Sequence, residues 1–209
     1  MVSSARRPDP VTIAVFARAP VPGRVKTRLA RVIGNAAAAA LHERLVLRTL
    51  ATARAAAPGK VELWCAPDTS HPFLERCAQE FAATLRVQAE GDLGERMAHA
   101  FAQHAGHPLV LIGSDCPALE ARDLHDAICA LASHDAVFAP AEDGGYVLVA
   151  LERPAPGLFR DIAWGTAEVM QATRERARHA GIKLAELRTL WDVDRPEDLR
   201  RLAREALIA

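Results

Sequence analysis

Residues 108–117 read Pro-Leu-Val-Leu-Ile-Gly-Ser-Asp-Cys-Pro, and this stretch decides the fold. Leu109–Ile112 are four aliphatic residues in a row, closed by Gly113. Such a run fits a strand buried on both faces, the habit of a central parallel strand rather than a half-wet antiparallel one. Pro117 stops any continuation of the sheet. Asp115 stands directly at the strand's carboxyl end, where open α/β sheets bind their ligands. Asp is also a common turn residue, so a cap for the turn is the plain alternative.

Working outward, Val11–Ala17 (VTIAVFA) is a second β-branched apolar run and predicts the first strand. After it, residues 18–31 hold five cations, Arg18, Arg24, Lys26, Arg28 and Arg31, and no acid. The whole chain has formal net charge zero, so this is the clearest charge asymmetry in it. Pro20, Pro22 and Gly23 keep the start of the segment irregular. A loop with glycine and clustered cations, placed after a buried first strand, suits a polyphosphate. The segment is neither a Walker loop nor a dinucleotide fingerprint, because the glycine spacing of both is missing. Only three of the 26 Lys+Arg are lysines, which singles out Lys26.

The remaining elements alternate. Asn35–Ala57 predicts a long helix with Asn35 as N-cap and Pro58-Gly59 as terminator. Val61–Ala66 predicts a strand, 73–81 a short helix and 85–88 a strand by alternation alone. Gly91-Asp92-Leu93-Gly94 opens a helix through about Gln103, and the glycines allow a ligand to approach the backbone, although Asp92 serves equally as N-cap. Leu124, Ala127, Ile128 and Leu131 mark a helix lying on the sheet. Strands at 135–140 and 147–150 bracket Glu142-Asp143-Gly144-Gly145-Tyr146, which is either a hairpin turn or a place where backbone meets substrate. Tyr146 fits core and site alike. Thr166 is the expected N-cap of a helix from Ala167 to His179, and 182–187 a late strand. In Trp191-Asp192-Val193-Asp194, the two acids face the same way if the segment is extended. Asp194 and Glu197 have capping-box spacing before a terminal helix. The order of elements predicts one three-layer α/β/α domain over 1–209 with a mostly parallel mixed sheet, residues 1–10 being flexible.

The chain is 209 residues long and 50% apolar, enough for one full core. Zero net charge excludes the basic footprint of a general nucleic-acid binder. No apolar run approaches the ~20 residues of a membrane span, and Arg18 interrupts the run after Phe16. The expectation is a cytoplasmic protein without a signal peptide. The four cysteines show no zinc or disulfide spacing.

Taken in order, FARAPVPGRVKTRL (16–29), GDLGERM (91–97), GSDCP (113–117), EDGGY (142–146), WGT (164–166) and WDVDRPEDL (191–199) span nearly the whole chain. Together they resemble the nucleotide-diphospho-sugar transferase superfamily with the GT-A fold, and within it the DUF2064 group of glycosyltransferase-like bacterial proteins. The resemblance implies Mg²⁺ (or Mn²⁺) held by Asp115, with Asp194 or Asp192 completing the site. It implies a nucleotide against Ala17, Arg18, Gly23, Gly91, Gly94 and Ser114. Lys26, with Arg24 or Arg28, would neutralise charge building on the leaving phosphate. A small acceptor would rest against Asp143, Gly144, Gly145, Tyr146 and Trp164. Two departures stand out. Glycosyltransferases of this fold usually carry D-x-D after the central strand, whereas Ser114 and Cys116 flank a single Asp115. Arg195 replaces a frequent Thr. The lone acid gives nucleotidyl transfer a slight preference over glycosyl transfer, and no Ser-His-Asp order or G-x-S-x-G supplies a protein nucleophile. A nucleotide-binding module without catalysis is the alternative of a different class.

Overall fold

The computed structural model describes residues 11–57, 60–205 and 207. Residues 1–10 and the Pro58-Gly59 terminator lie outside the described residues. The chain runs β1 (Thr12–Arg18), α1 (Thr27–Ile33), α2 (Asn35–Ala56), β2 (Val61–Ala66), α3 (Pro72–Phe81), β3 (Thr84–Val87), α4 (Leu93–Ala102), β4 (Leu109–Gly113), α5 (Ala121–Ala130), β5 (Ala136–Pro140) and β6 (Tyr146–Leu151). A 3₁₀ turn (Pro156–Phe159), α6 (Val169–His179), β7 (Leu184–Glu186) and α7 (Pro196–Glu205) complete it.

The seven strands form one sheet in the order β3-β2-β1-β4-β6-β5-β7. β4 pairs parallel with β1 and antiparallel with β6, so the strand read as central is central and parallel on one side only. β6 also runs antiparallel to β5, and every other pairing is parallel. The fold is the mixed α/β sheet expected.

Alternation along the strands explains the layers. Ile13, Val15, Val110 and Ile112 face the helices α2, α3 and α5, meeting Val46, Leu50, Leu74 and Leu124. Ala14, Phe16, Leu109 and Leu111 face the opposite way, onto Met97 and Phe101 of α4 and Met170 of α6. Side chains such as Ile13, Leu109 and Ile112 are fully buried, each worth about 1.5–3 kcal/mol relative to exposure. A third cluster, Leu29, Leu41, Leu45, Trp191, Val193 and Leu202, packs α1 and α2 against the late segment and α7.

Helix starts differ from expectation in instructive ways. Gly34 breaks the cationic helix from the long one and is the N-cap of α2, with Asn35 its first residue. Helix α4 begins as the Asp92 reading requires, with a reciprocal capping box between Asp92 and Glu95. Thr166 accepts the Glu168 N–H, and α6 begins at Val169, two residues late. The turn into α7 is closed by Asp198, whose Oδ2 accepts the N–H groups of Asp194 (2.9 Å) and Arg195 (2.6 Å). Asp198, not Glu197, therefore closes that turn. Among the described residues no helix is long and apolar enough to cross a membrane.

Candidate active site

Chain order reverses about β1: the connection from β1 leads outward to β2, and the connection from β3 returns across β1 to β4. A crevice opens at the carboxyl ends of strands that part in this way. The loop carrying Lys26 leaves β1 there and Asp115 leaves β4 beside it.

Lys26 holds a left-handed backbone conformation (φ 47°) at the N-cap of α1, rare for a residue with a side chain. The conformation turns its side chain inward, where it is only 4% exposed. Its Nζ lies 2.8 Å from Asp115 Oδ1 and donates to Val193 O at 2.5 Å. The Val193 N–H in turn donates to Asp115 O at 2.9 Å. Three distant chain regions are thus knotted at one point. His42 of α2, 4% exposed, joins them. Its Nε2 lies 3.0 Å from Arg18 O, and since a carbonyl only accepts, Nε2 carries a proton. Its Nδ1 faces Asp115 Oδ1 at 3.8 Å.

Burial raises the Asp115 pKa, but the Lys26 ammonium and then His42 more than reverse this, holding the carboxyl well below the usual range. Asp115 Oδ1 is closed off from solvent, yet the side chain is 46% exposed. Oδ2 is therefore the oxygen presented to the crevice. The preceding Ser114 is buried.

The late acids divide. Burial, then repulsion by Asp143 and Asp115, pushes the Asp192 pKa up to about 6 against the pull of Lys26. Asp194 is held by the Arg28 guanidinium. Among the described residues no three His, Cys, Asp or Glu are gathered as a ready metal cage. The donor set nevertheless fits a hard cation that takes one or two carboxylates and completes its shell with substrate phosphates and water. Asp115 offers an ionised, outward oxygen, and the repulsion felt by Asp192 is the kind a cation relieves.

Around this knot, Arg18 and Arg24 have no side-chain partner among the described residues. Gly23 adopts φ 80° in the same loop. Ala17 O receives the Gln88 side-chain amide at 3.2 Å. On the β6 side a cavity of about 170 Å³ is lined by Asp143, Gly145, Tyr146, Trp164, Thr166 and Asp192, among others. Within that wall Gly144 (φ 92°) lies so close to Ala167 O that a Cβ would overlap it, and its own carbonyl accepts the Met170 N–H at 2.8 Å. Asp143 Oδ1 accepts the Gly145 N–H at 2.9 Å.

Tyr146 packs edge-on against Phe138 and Trp164, and burial raises its hydroxyl pKa. It lines the wall of the small cavity. The space over Gly94 is filled by Phe159 O and the Trp164 indole, 2.8 Å from an added Cβ, and that over Gly91 by the Glu95 carboxylate. Gly94 is thus held by protein packing, and Gly91 by its positive φ of 101°. A larger hollow of about 460 Å³ between α4 and the 3₁₀ turn shares no lining residue with the Lys26–Asp115 knot.

His42, Gln88 and the Val193 main chain escaped the reading of the sequence. A histidine on the stripe Ala38, Leu45, Thr49 of α2 was the available signal, since a ring with two nitrogens on an apolar face needs partners.

The family described as "Uncharacterized protein conserved in bacteria (DUF2064)" matches residues 49–166. A 3-phospho-D-glycerate guanylyltransferase from Phenylobacterium zucineum (strain HLK1) is 33% identical over 188 residues, covering 86% of this chain and 84% of the relative. A crystal structure from Desulfovibrio desulfuricans G20, of a protein provisionally assigned as a nucleotide-diphospho-sugar transferase, superposes with TM-score 0.81 at 35% identity, covering 93% and 87% of the two chains. Glucosyl-3-phosphoglycerate synthase from Mycobacterium tuberculosis, solved with Mn²⁺, UDP and glucosyl-3-phosphoglycerate, shares the fold at TM-score 0.54 and 14% identity, covering 94% of this chain and 77% of that one. The chain is a transferase of the nucleotidyl- and glycosyl-transfer kind. With these motifs set on this sheet, it belongs to the DUF2064 family.

Proposed function

We propose that the chain transfers a nucleotidyl group from GTP to a small phosphorylated acid of the phosphoglycerate type, releasing pyrophosphate. The observation that carries the reading is Asp115, a single ionised carboxylate pinned by Lys26 at the sheet's switch point with one oxygen presented outward. The similarity to a guanylyltransferase across 86% of the chain supports the choice of donor and acceptor.

An acceptor phosphate oxygen attacks the α-phosphorus, the bond to the β-phosphate oxygen breaks, and pyrophosphate leaves. Such a displacement needs positioning and charge neutralisation rather than a protein nucleophile. Asp115, with Asp192 or Asp194, would hold Mg²⁺ or Mn²⁺, which supplies Lewis-acid neutralisation of the phosphates. Lys26 fixes Asp115 and keeps it ionised. Arg24, with no side-chain partner among the described residues, meets the departing pyrophosphate, and Arg28 is shared between Asp194 and the phosphates. Asp143, Gly145 and Thr166 offer polar groups to the acceptor along the small cavity, with Tyr146 and Trp164 as its apolar floor.

Incubating the protein with each nucleoside triphosphate, Mg²⁺ and an acceptor set containing 3-phosphoglycerate tests this. Pyrophosphate from GTP and 3-phosphoglycerate is the expected product. Nucleoside diphosphate released from a nucleotide sugar, with no pyrophosphate from any triphosphate, replaces the reading with glycosyl transfer.

A further inference from the structure

We propose that Arg188 is a positioning residue for the cation site: its fork on the buried Asp123 carboxylate fixes the spacing between the loop bearing Asp115 and the segment bearing Asp192 and Asp194. The inference rests on the reading above of those acids as ligands of one divalent cation. Arg188 lies on the segment that runs from β7 to Asp192. Its Nε donates to Asp123 Oδ1 at 2.6 Å and its Nη2 to Asp123 Oδ2 at 2.8 Å, across 65 positions of sequence. The same Nη2 donates to Ala118 O at 3.1 Å. Asp123 stands in the first turn of α5 with its side chain only 3% exposed. Its Oδ2 also accepts the Glu120 N–H at 2.8 Å, which closes the start of that helix. Burial opposes the charge on Asp123, but the hydrogen bonds from Arg188 and then Glu120 outweigh it and lower the pKa.

Cys116, Pro117 and Ala118 follow Asp115 directly, so a grip on Ala118 O and on α5 is a grip on the acid's own loop. Arg48 of α2 takes Pro117 O at 2.7 Å, so guanidinium groups hold two successive carbonyls there. The late segment is tied on its other side to β5. Leu187 N–H donates to Phe138 O at 2.8 Å and Leu190 N–H to Pro140 O at 2.9 Å. Those bonds leave its distance from the β4–α5 loop to be set by other contacts. Leu119, Leu124 and Leu190 share one apolar cluster, but burial of apolar surface has no direction. A planar fork bonded to both oxygens of one carboxylate fixes direction and distance together. Beside the main-chain bond from Val193 to Asp115, it is the crossing that joins the two carboxylate-bearing segments. Among the described residues Arg188 makes no hydrogen bond or ion pair to Asp115, Asp192 or Asp194, so it acts through the segments that carry them.

Mn²⁺ alone is the probe, titrated into the full chain and followed by water-proton relaxation, with no turnover involved. Groups that orient metal ligands directly are worth ~10–100-fold in affinity, and one acting through a loop is expected to be worth about three- to tenfold. Arg188→Met and Asp123→Asn should each weaken Mn²⁺ binding by that factor, and the double variant no further than either single one. Arg188→Lys keeps a positive charge near Asp123 but not the fork, and should lose about threefold. Arg174→Met is the control. It removes a bidentate pair of the same kind, made to Glu186 of β7 at 2.7 and 2.8 Å, and should bind Mn²⁺ as the wild type does. Binding within about twofold of wild type in Arg188→Lys and Asp123→Asn, or an equal loss in Arg174→Met, overturns the role of Arg188. Should Arg188→Met fail to fold, the other two variants decide on the same terms. A wild-type chain that binds Mn²⁺ no better than Asp115→Asn overturns the cation reading itself, and this inference with it.

Discussion

Replacing Lys26 by Met leaves Asp115 Oδ1 sealed from water with no ammonium beside it, and leaves Val193 O without its charged donor. Breaking a fully buried ion pair costs about 3–5 kcal/mol. Asp115 is 46% exposed, so its outer oxygen keeps some hydration and the cost falls. Losing the charged hydrogen bond to Val193 adds to it. The expected destabilisation is about 2–4 kcal/mol, or about 5–15 °C in Tm for a chain of this size. Asp115→Ala should cost more, because the stranded group is then an ammonium only 4% exposed with one carbonyl for company. Urea unfolding of both single variants and the double variant gives the coupling, expected above about 1 kcal/mol. A pH series adds a signature. The folded pKa of Asp115 is depressed, so its contribution is complete above about pH 4 and is lost only as pH falls through the lower folded value. Lys26→Met moves that loss upward in pH. A Lys26→Met chain within about 0.5 kcal/mol of wild type, or strictly additive single variants, refutes the argument.

Asp192 behaves oppositely: its folded pKa of about 6 lies above the unfolded value, so it penalises the fold fully above pH 6 and not at all below about pH 4. Asp192→Asn should therefore be more stable than wild type by about 1–2 kcal/mol at pH 7–8, converging at pH 4, as read from chemical denaturation. Gly94→Ala drives a methyl into Phe159 O and the Trp164 ring, and the overpacking, about 1–3 kcal/mol, outweighs the ~1 kcal/mol gain in helix propensity. Gly144→Ala combines a positive φ with a clash on Ala167 O, and a loss of about 2–4 kcal/mol should appear in thermal melts. Transfer activity is expected to stop in excess EDTA and to return with Mg²⁺ or Mn²⁺, but not in Asp115→Asn at any metal concentration.

The sheet was legible because its inner strands are written locally: VTIAVFA and LVLI need no partner to announce burial on both faces. The charge imbalance of residues 18–31 and the acid after β4 marked the crevice for the same reason. Less was visible where distant residues decide. Lys26 read as a group neutralising the leaving phosphate, and only its left-handed backbone and the arrival of Val193 reveal it as the partner of Asp115. Gly94 and Gly144 read as room for a ligand, because a sequence does not say whether the space over a glycine is filled by substrate or by Trp164 and Ala167. The hairpin from β5 to β6 could not be given a direction from alternation alone, and its antiparallel pairing beside β4 brings the 141–145 loop to the rim.

Lys26 meets Val193 across 167 positions of sequence. A domain folds as a unit, so the ammonium has this acceptor only once nearly the whole chain has been made. It can be drawn inside only after Val193 has been synthesised and brings its carbonyl. A chain that stops short of Val193 is left without the clasp that orients its acid, so a shortened product loses the geometry of the crevice even where it keeps every residue of the cationic loop.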